Sequence, residues 1–87
     1  MHILELCLSP DLGGLELYVF RCAEALSRED RVTVMLNAEA RLREYIDTLP
    51  QVEQHFMQVK LRKLPLLAAR NLAQLIDREE IDVIHVH

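Results

Sequence analysis

Apolar positions along the chain change their period six times, marking seven elements. Residues 2–8 (HILELCL) are apolar at Ile3, Leu4, Leu6, Cys7 and Leu8, which predicts a strand buried on both faces, as in the centre of a parallel sheet. Glu5 breaks that run and calls for a sheet end or a polar partner. Residues 15–28 carry Leu15, Val19, Cys22, Ala23 and Leu26 at helical spacing, with Tyr18 beside the stripe. Residues 31–36 (RVTVML) are β-branched and apolar, a second strand. Asn37 suits the N-cap of a helix over 38–48, where Leu42, Tyr45, Ile46 and Leu49 trace one face, and Pro50 stops it. Residues 55–60 (HFMQVK) give a weaker third strand. Pro65 fits the first turn of a third helix reaching about residue 79, with Leu64, Leu67, Ala68, Leu72, Leu75 and Ile76 as its apolar stripe. Residues 81–86 (IDVIHV) form the fourth strand, followed by His87.

The order β-α-β-α-β-α-β predicts an α/β fold. It implies a Rossmann-like parallel sheet with right-handed helical crossovers and strand order 3-2-1-4. That order sets the first and fourth strands side by side and opens a crevice between their C-terminal ends, at the topological switch point. Two features converge on it. One is Ser9-Pro10-Asp11-Leu12-Gly13-Gly14-Leu15-Glu16, which holds the only two glycines of the chain. A strand–glycine–helix turn exposes backbone N–H groups at the positive end of a helix dipole, where an anion is favoured. Two adjacent glycines would also permit positive φ and close approach of a ligand; a tight turn without ligand is the equal alternative. The other feature is His85 and His87, which alternate with Ile84 and Val86 and therefore share one face of the last strand. They read as a polar or catalytic pair, with a hydrogen-bonded structural histidine as the plainer account of His85.

Length confines the chain to one small domain, residues 1–87. Hydrophobic residues make up 51% and charged residues 28%, an ordinary globular balance. A net charge of −4 speaks against a general nucleic-acid binder, which needs a basic face. Cys7 and Cys22 lack zinc-ligand spacing and read as small core residues in a reducing compartment. No metal is expected, since His85 and His87 have no evident third ligand. The dinucleotide fingerprint G-x-G-x-x-G and the P-loop Gly-Lys-Ser/Thr are both missing from the glycine loop. His2 and His55 read as solvent-facing or structural. The basic cluster Lys60, Arg62, Lys63 and Arg70 reads as a solvated connection, with weak contact to anionic lipid head groups as the functional alternative. With no signal peptide and no apolar run near the ~20 residues of a bilayer span, a cytoplasmic protein is expected, with the inner face of the plasma membrane as a secondary placement.

A short apolar strand, then SPDLGGLELYVFRCAEAL, then a distant IDVIHVH resembles the N-terminal half-domain of GT-B glycosyltransferases, closest to the family-4, glycosyltransferase group 1 type. The likeness spans nearly the whole chain and is sharpest at Gly13-Gly14-Leu15-Glu16 and Asp82-Val83-Ile84-His85-Val86-His87. It implies a truncated half of a GT-B N-terminal, acceptor-side domain. It also implies retaining transfer of a sugar from a nucleotide-sugar donor to a glycan or lipid-linked acceptor, with the nucleotide-sugar as substrate and no cofactor or metal. In the family the glycine loop lies near the donor's diphosphate, a place matched by Gly13 and Gly14. A histidine at the end of the fourth strand approaches the transferred sugar, a place matched by His87 as the catalytic candidate, or less closely by His85. Glu16 and His85 are the implied substrate contacts. The second domain of that family, with its donor-binding basic residues and carboxylate motif, has no counterpart in these residues, so the chain is expected to be inactive alone. The rival readings are a non-catalytic α/β module binding a partner chain that supplies the missing half, and a small Rossmann-like nucleotide-binding domain.

Overall fold

The computed structural model describes residues 1–9, 11–57 and 64–87, with side chains for all of these except 64–69 and 71. Four strands, β1 (His2–Cys7), β2 (Arg31–Asn37), β3 (Glu53–Met57) and β4 (Val83–Val86), alternate with three helices, α1 (Gly14–Leu26), α2 (Leu42–Ile46) and α3 (Leu64–Glu79). All pairings are parallel and the strand order is β3-β2-β1-β4. The chain is therefore α/β with a Rossmann-like sheet, as the alternating periods predict.

The two faces of the sheet are covered by different helices. Ile3 and Cys7 of β1, with Val32, Val34 and Leu36 of β2, pack under Val19 and Ala23 of α1 and Leu42 and Ile46 of α2. On the opposite face Leu4 and Met35 join Met57 and Leu75 of α3. β1 lies between β2 and β4 and is apolar both ways, which is why its sequence lacks strict alternation. The fully buried Leu4, Val34 and Leu36 each remove enough apolar surface to contribute about 1.5–3 kcal/mol.

Several boundaries differ from expectation. Asn37 ends β2 instead of capping a helix: its Oδ1 accepts from the Glu39 N–H at 2.9 Å and its Nδ2 donates to the Leu8 carbonyl at 3.1 Å. This Asx turn holds the chain out of helical geometry, so α2 starts only at Leu42. Tyr45 lies on the flank of that helix, its ring edge-to-face with Phe20 at 5.8 Å. β3 begins at Glu53, earlier than the expected strand, because its register starts with Thr33 opposite Glu53. Residues 58–60 of that expected strand, and the basic Lys60, Arg62 and Lys63, lie outside the described residues; Arg70 is exposed. In α1, Glu16, Val19 and Ala23 form the buried line. Leu15, expected on it, falls to the flank of the first turn and is exposed.

The N-terminal edge of the sheet is tied by polar groups. His2 is buried; its Nδ1 donates to the Glu79 carbonyl at 2.8 Å and its Nε2 lies 2.7 Å from Thr33 Oγ1. That makes His2 structural. Arg31 bridges Glu53 at 2.9 Å and Glu79 at 3.0 Å. The Arg31 guanidinium holds the Glu53 carboxyl below the usual range. Beyond α3, Glu80 takes a positive φ of 53° and the Ile81 N–H returns to the Ile76 carbonyl at 3.1 Å. This is a Schellman-type stop with a non-glycine residue in the left-handed position.

Candidate functional site

The site begins with a charge in the wrong place for a core. Glu5 sits mid-strand in β1, fully buried, where an unpartnered carboxylate would be very costly. Register supplies the partners: Glu5 lies opposite His85 on β4, and His87 follows two residues later on the same face. His85 Nδ1 donates to Glu5 Oε1 at 2.8 Å, and His87 Nε2 donates to Glu5 Oε2 in a shorter contact. The His87 N–H also continues the ladder to the Leu6 carbonyl at 3.0 Å. The His87 side chain is 10% exposed and that of His85 45%.

Tyr18, on the second turn of α1, closes the group from the helix side. Its ring meets the His87 ring edge-on at 6.0 Å between centroids. Its phenol is pushed up from the ordinary value, first by a side-chain hydrogen bond with Cys22 and, as the smallest of four causes, by the charge of Glu5. α1 thus links the glycine loop at its start to the histidines one turn later.

The loop departs from expectation in one respect. Neither glycine has positive φ. Gly13 is the N-cap of α1 in extended geometry, φ −151° and ψ −161°, a conformation open to any residue, and Gly14 is the first helical residue. Among the described residues the loop from Cys7 into the helix has no left-handed step, so no backbone requirement selects glycine. The Leu17 N–H makes the first helical bond, to the Gly13 carbonyl at 3.0 Å. The N–H groups of Gly14, Leu15 and Glu16 have no acceptor within the helix and form its positive end. Glu16 is buried at 6% exposure and turns back along this end. Its Oε1 would lie 3.7 Å from a Cβ at Gly13, so one negative charge already answers the dipole. That charge is also felt at Cys7, whose thiol is pushed up mainly by burial and to a smaller degree by Glu16.

The structure therefore gathers Gly13, Gly14, Glu16, His85 and His87 at the C-terminal ends of β1 and β4. Glu5 and Tyr18 join them. Sequence reasoning marked Glu5 only as needing a polar partner and Tyr18 only as flanking a stripe; the signal for Glu5 was a lone charge inside an apolar strand. His55 stands elsewhere, in a cavity of about 190 Å³ on the α3 face, together with Met35, Phe56, Met57, Gln74, Leu75 and Arg78. Among the described residues no group of three or more His, Cys, Asp or Glu is placed to hold a metal ion. None of the described helices is long and apolar enough to cross a membrane.

Residues 12–87, a span that runs from the glycine loop through both histidines, match the family model described as Glycosyltransferase Family 4. The chain belongs to Glycosyltransferase Family 4. No curated protein and no solved structure matches it. The family match includes the glycine loop, α1 and the β4 histidines and leaves out β1, so Glu5 lies outside it. In this member of Family 4, the carboxylate that holds both β4 histidines belongs to a residue that the family match does not cover.

Proposed function

We propose that this chain forms one wall of a glycosyl-transfer cleft, acting on a nucleotide-sugar donor in a GT-B arrangement with retention of configuration. The observation that carries the reading is convergence: the N–H groups at the start of α1 and the Glu5–His85–His87 cluster meet at the β1/β4 switch point, with Tyr18 between them. In this reading Gly13 and Gly14 let the donor's diphosphate approach the helix start, where stabilising the departing charge is electrostatic work. Glu16 accepts from a hydroxyl at the floor of the loop. His87 stands beside the transferred sugar, with His85 as a further substrate contact. The likeness to the family supports retention, a glycan or lipid-linked acceptor and a site without metal.

The opposing wall lies outside these 87 residues. The exposure of β4 favours this: Val86 is 75% and Ile84 37% exposed, two apolar side chains left uncovered on the strand that carries the histidines. We propose accordingly that the chain alone does not transfer sugar. The same exposure suits the second reading, a module completed by a partner chain. The test is an assay of the purified 87-residue chain with a panel of radiolabelled nucleotide sugars and mixed glycan and lipid acceptors, beside titration of its amide NMR spectrum with the same donors. The expected result is no transfer, with weak shifts at Gly13, Gly14 and His87. Sugar transfer by the chain alone overturns the half-site reading. Shifts confined to residues away from the β1/β4 end overturn the cleft.

A further inference from the structure

We infer that Glu5 is the positioning residue of the histidine pair, fixing His85 as the Nδ1–H tautomer and His87 as the Nε2–H tautomer. Two histidines two residues apart on one strand would otherwise present the same ring atoms to the same side. Here their distances to one carboxylate differ. His85 is directly opposite Glu5 in the parallel register, so its near nitrogen, Nδ1, reaches Oε1 at 2.8 Å. His87 lies two residues further along, and only its far nitrogen, Nε2, reaches back to Oε2.

Glu5 is fully buried, and both of its oxygens are satisfied by these rings. A buried carboxylate only accepts, so each ring must turn an N–H toward it. A neutral imidazole has one N–H. The pair therefore leaves two different lone pairs free, His85 Nε2 and His87 Nδ1. This is the logic by which an outer carboxylate sets the ring orientation of a working histidine.

The consequence rests on the glycosyl-transfer reading and deepens it. Free ring nitrogens accept hydrogen bonds and do not donate them, so the histidine pair faces hydroxyl groups of the sugar or acceptor. Phosphate oxygens need donors, and those stand one turn away, at the start of α1, on Gly14 and Leu15. Glu5 thereby divides the cleft into a hydroxyl side and an anion side.

The test uses the 15N-labelled 87-residue chain and long-range 1H–15N correlation of the imidazoles at roughly pH 8, above the ordinary imidazole range. The expected signature is opposite tautomers, Nδ1–H in His85 and Nε2–H in His87. Two Nε2–H rings, two freely averaging rings, or a ring protonated on both nitrogens overturns the inference. The E5Q variant is the second arm. Its amide offers one acceptor oxygen and one donor nitrogen in the same volume, so one ring keeps its tautomer and the other reverses. Both tautomers unchanged in E5Q overturns the role of Glu5. Should E5Q fail to fold, the wild-type signature decides alone. Neither arm uses sugar transfer, so a failed transferase reading leaves the tautomers standing, and wrong tautomers leave the transferase reading standing.

Discussion

Glycine at position 14 is not required by the fold, and its replacement by alanine is the sharpest check on that statement. Gly14 is the first residue of α1, its φ is not positive, and a Cβ built on it meets no atom within 4 Å. Alanine therefore brings no clash and no backbone strain. Alanine is favoured over glycine by about 0.8–1.0 kcal/mol in a helix interior, and less at its first position. Restricting the unfolded chain contributes about 0.4–1 kcal/mol where the native conformation suits the new residue. The expected outcome for Gly14→Ala is thus a gain of about 0.5–1 kcal/mol. For a domain of this size that is a rise of roughly 2–8 °C in Tm, read by far-UV circular dichroism and by the urea midpoint. Gly13→Ala should go the other way by under about 1 kcal/mol, because glycine is the better N-cap, while the 3.7 Å approach to Glu16 Oε1 is ordinary contact. A loss of more than about 1 kcal/mol for Gly14→Ala would refute the reasoning and return the glycine pair to a structural role. A gain would leave ligand approach as the physical reason for glycine there.

The other expectations concern the rest of the network. His87→Ala should destabilise by about 2–4 kcal/mol, since it strips a donor from a buried carboxylate, and His85→Ala by about 1 kcal/mol, because water can replace a ring that is 45% exposed; equal losses in urea unfolding would contradict this. Glu80→Gly should stabilise by about 1 kcal/mol, relieving the positive φ of 53°, and an unchanged Tm would count against it. Arg31 lowers the Glu53 carboxyl from its ordinary value of 4.5. A depressed carboxylate adds stability above that value and loses it as pH falls through the folded value, so the gap between wild type and Arg31→Met should be present at neutral pH and close in acid. A gap independent of pH, in urea midpoints taken along an acid series, would refute the pairing. Cys22 should react with a disulfide reagent before Cys7, whose thiol is buried and pushed up; equal rates in the folded chain would refute it.

Order and type of the elements were legible in the sequence because each period has one buried face to satisfy. HILELC and RVTVML are short apolar runs, the second rich in β-branched residues, which read as strands, and once strands alternate with helices, parallel pairing follows. The fold order and the two site motifs came from that logic and from the family likeness. Local side-chain chemistry was harder to read. Asn37 could cap a helix or make an Asx turn, and only its reach to the Leu8 carbonyl chose the turn. Leu15 and Glu16 differ by one position, yet the carboxylate is buried and the leucine exposed, because the line of contact through Val19 and Ala23 was fixed by the sheet beneath α1.

The sequence by itself determined that Glu5 was an anomaly and that His85 and His87 share a face. What only tertiary structure decided was that these are one feature. Their separation of about eighty residues is removed by the register of β1 against β4, which places Glu5 opposite His85. Sequence periodicity states which way a side chain points, but not what another strand brings to meet it. Register, a property of the packed sheet, turns a misplaced charge and two histidines into a single hydrogen-bonded site.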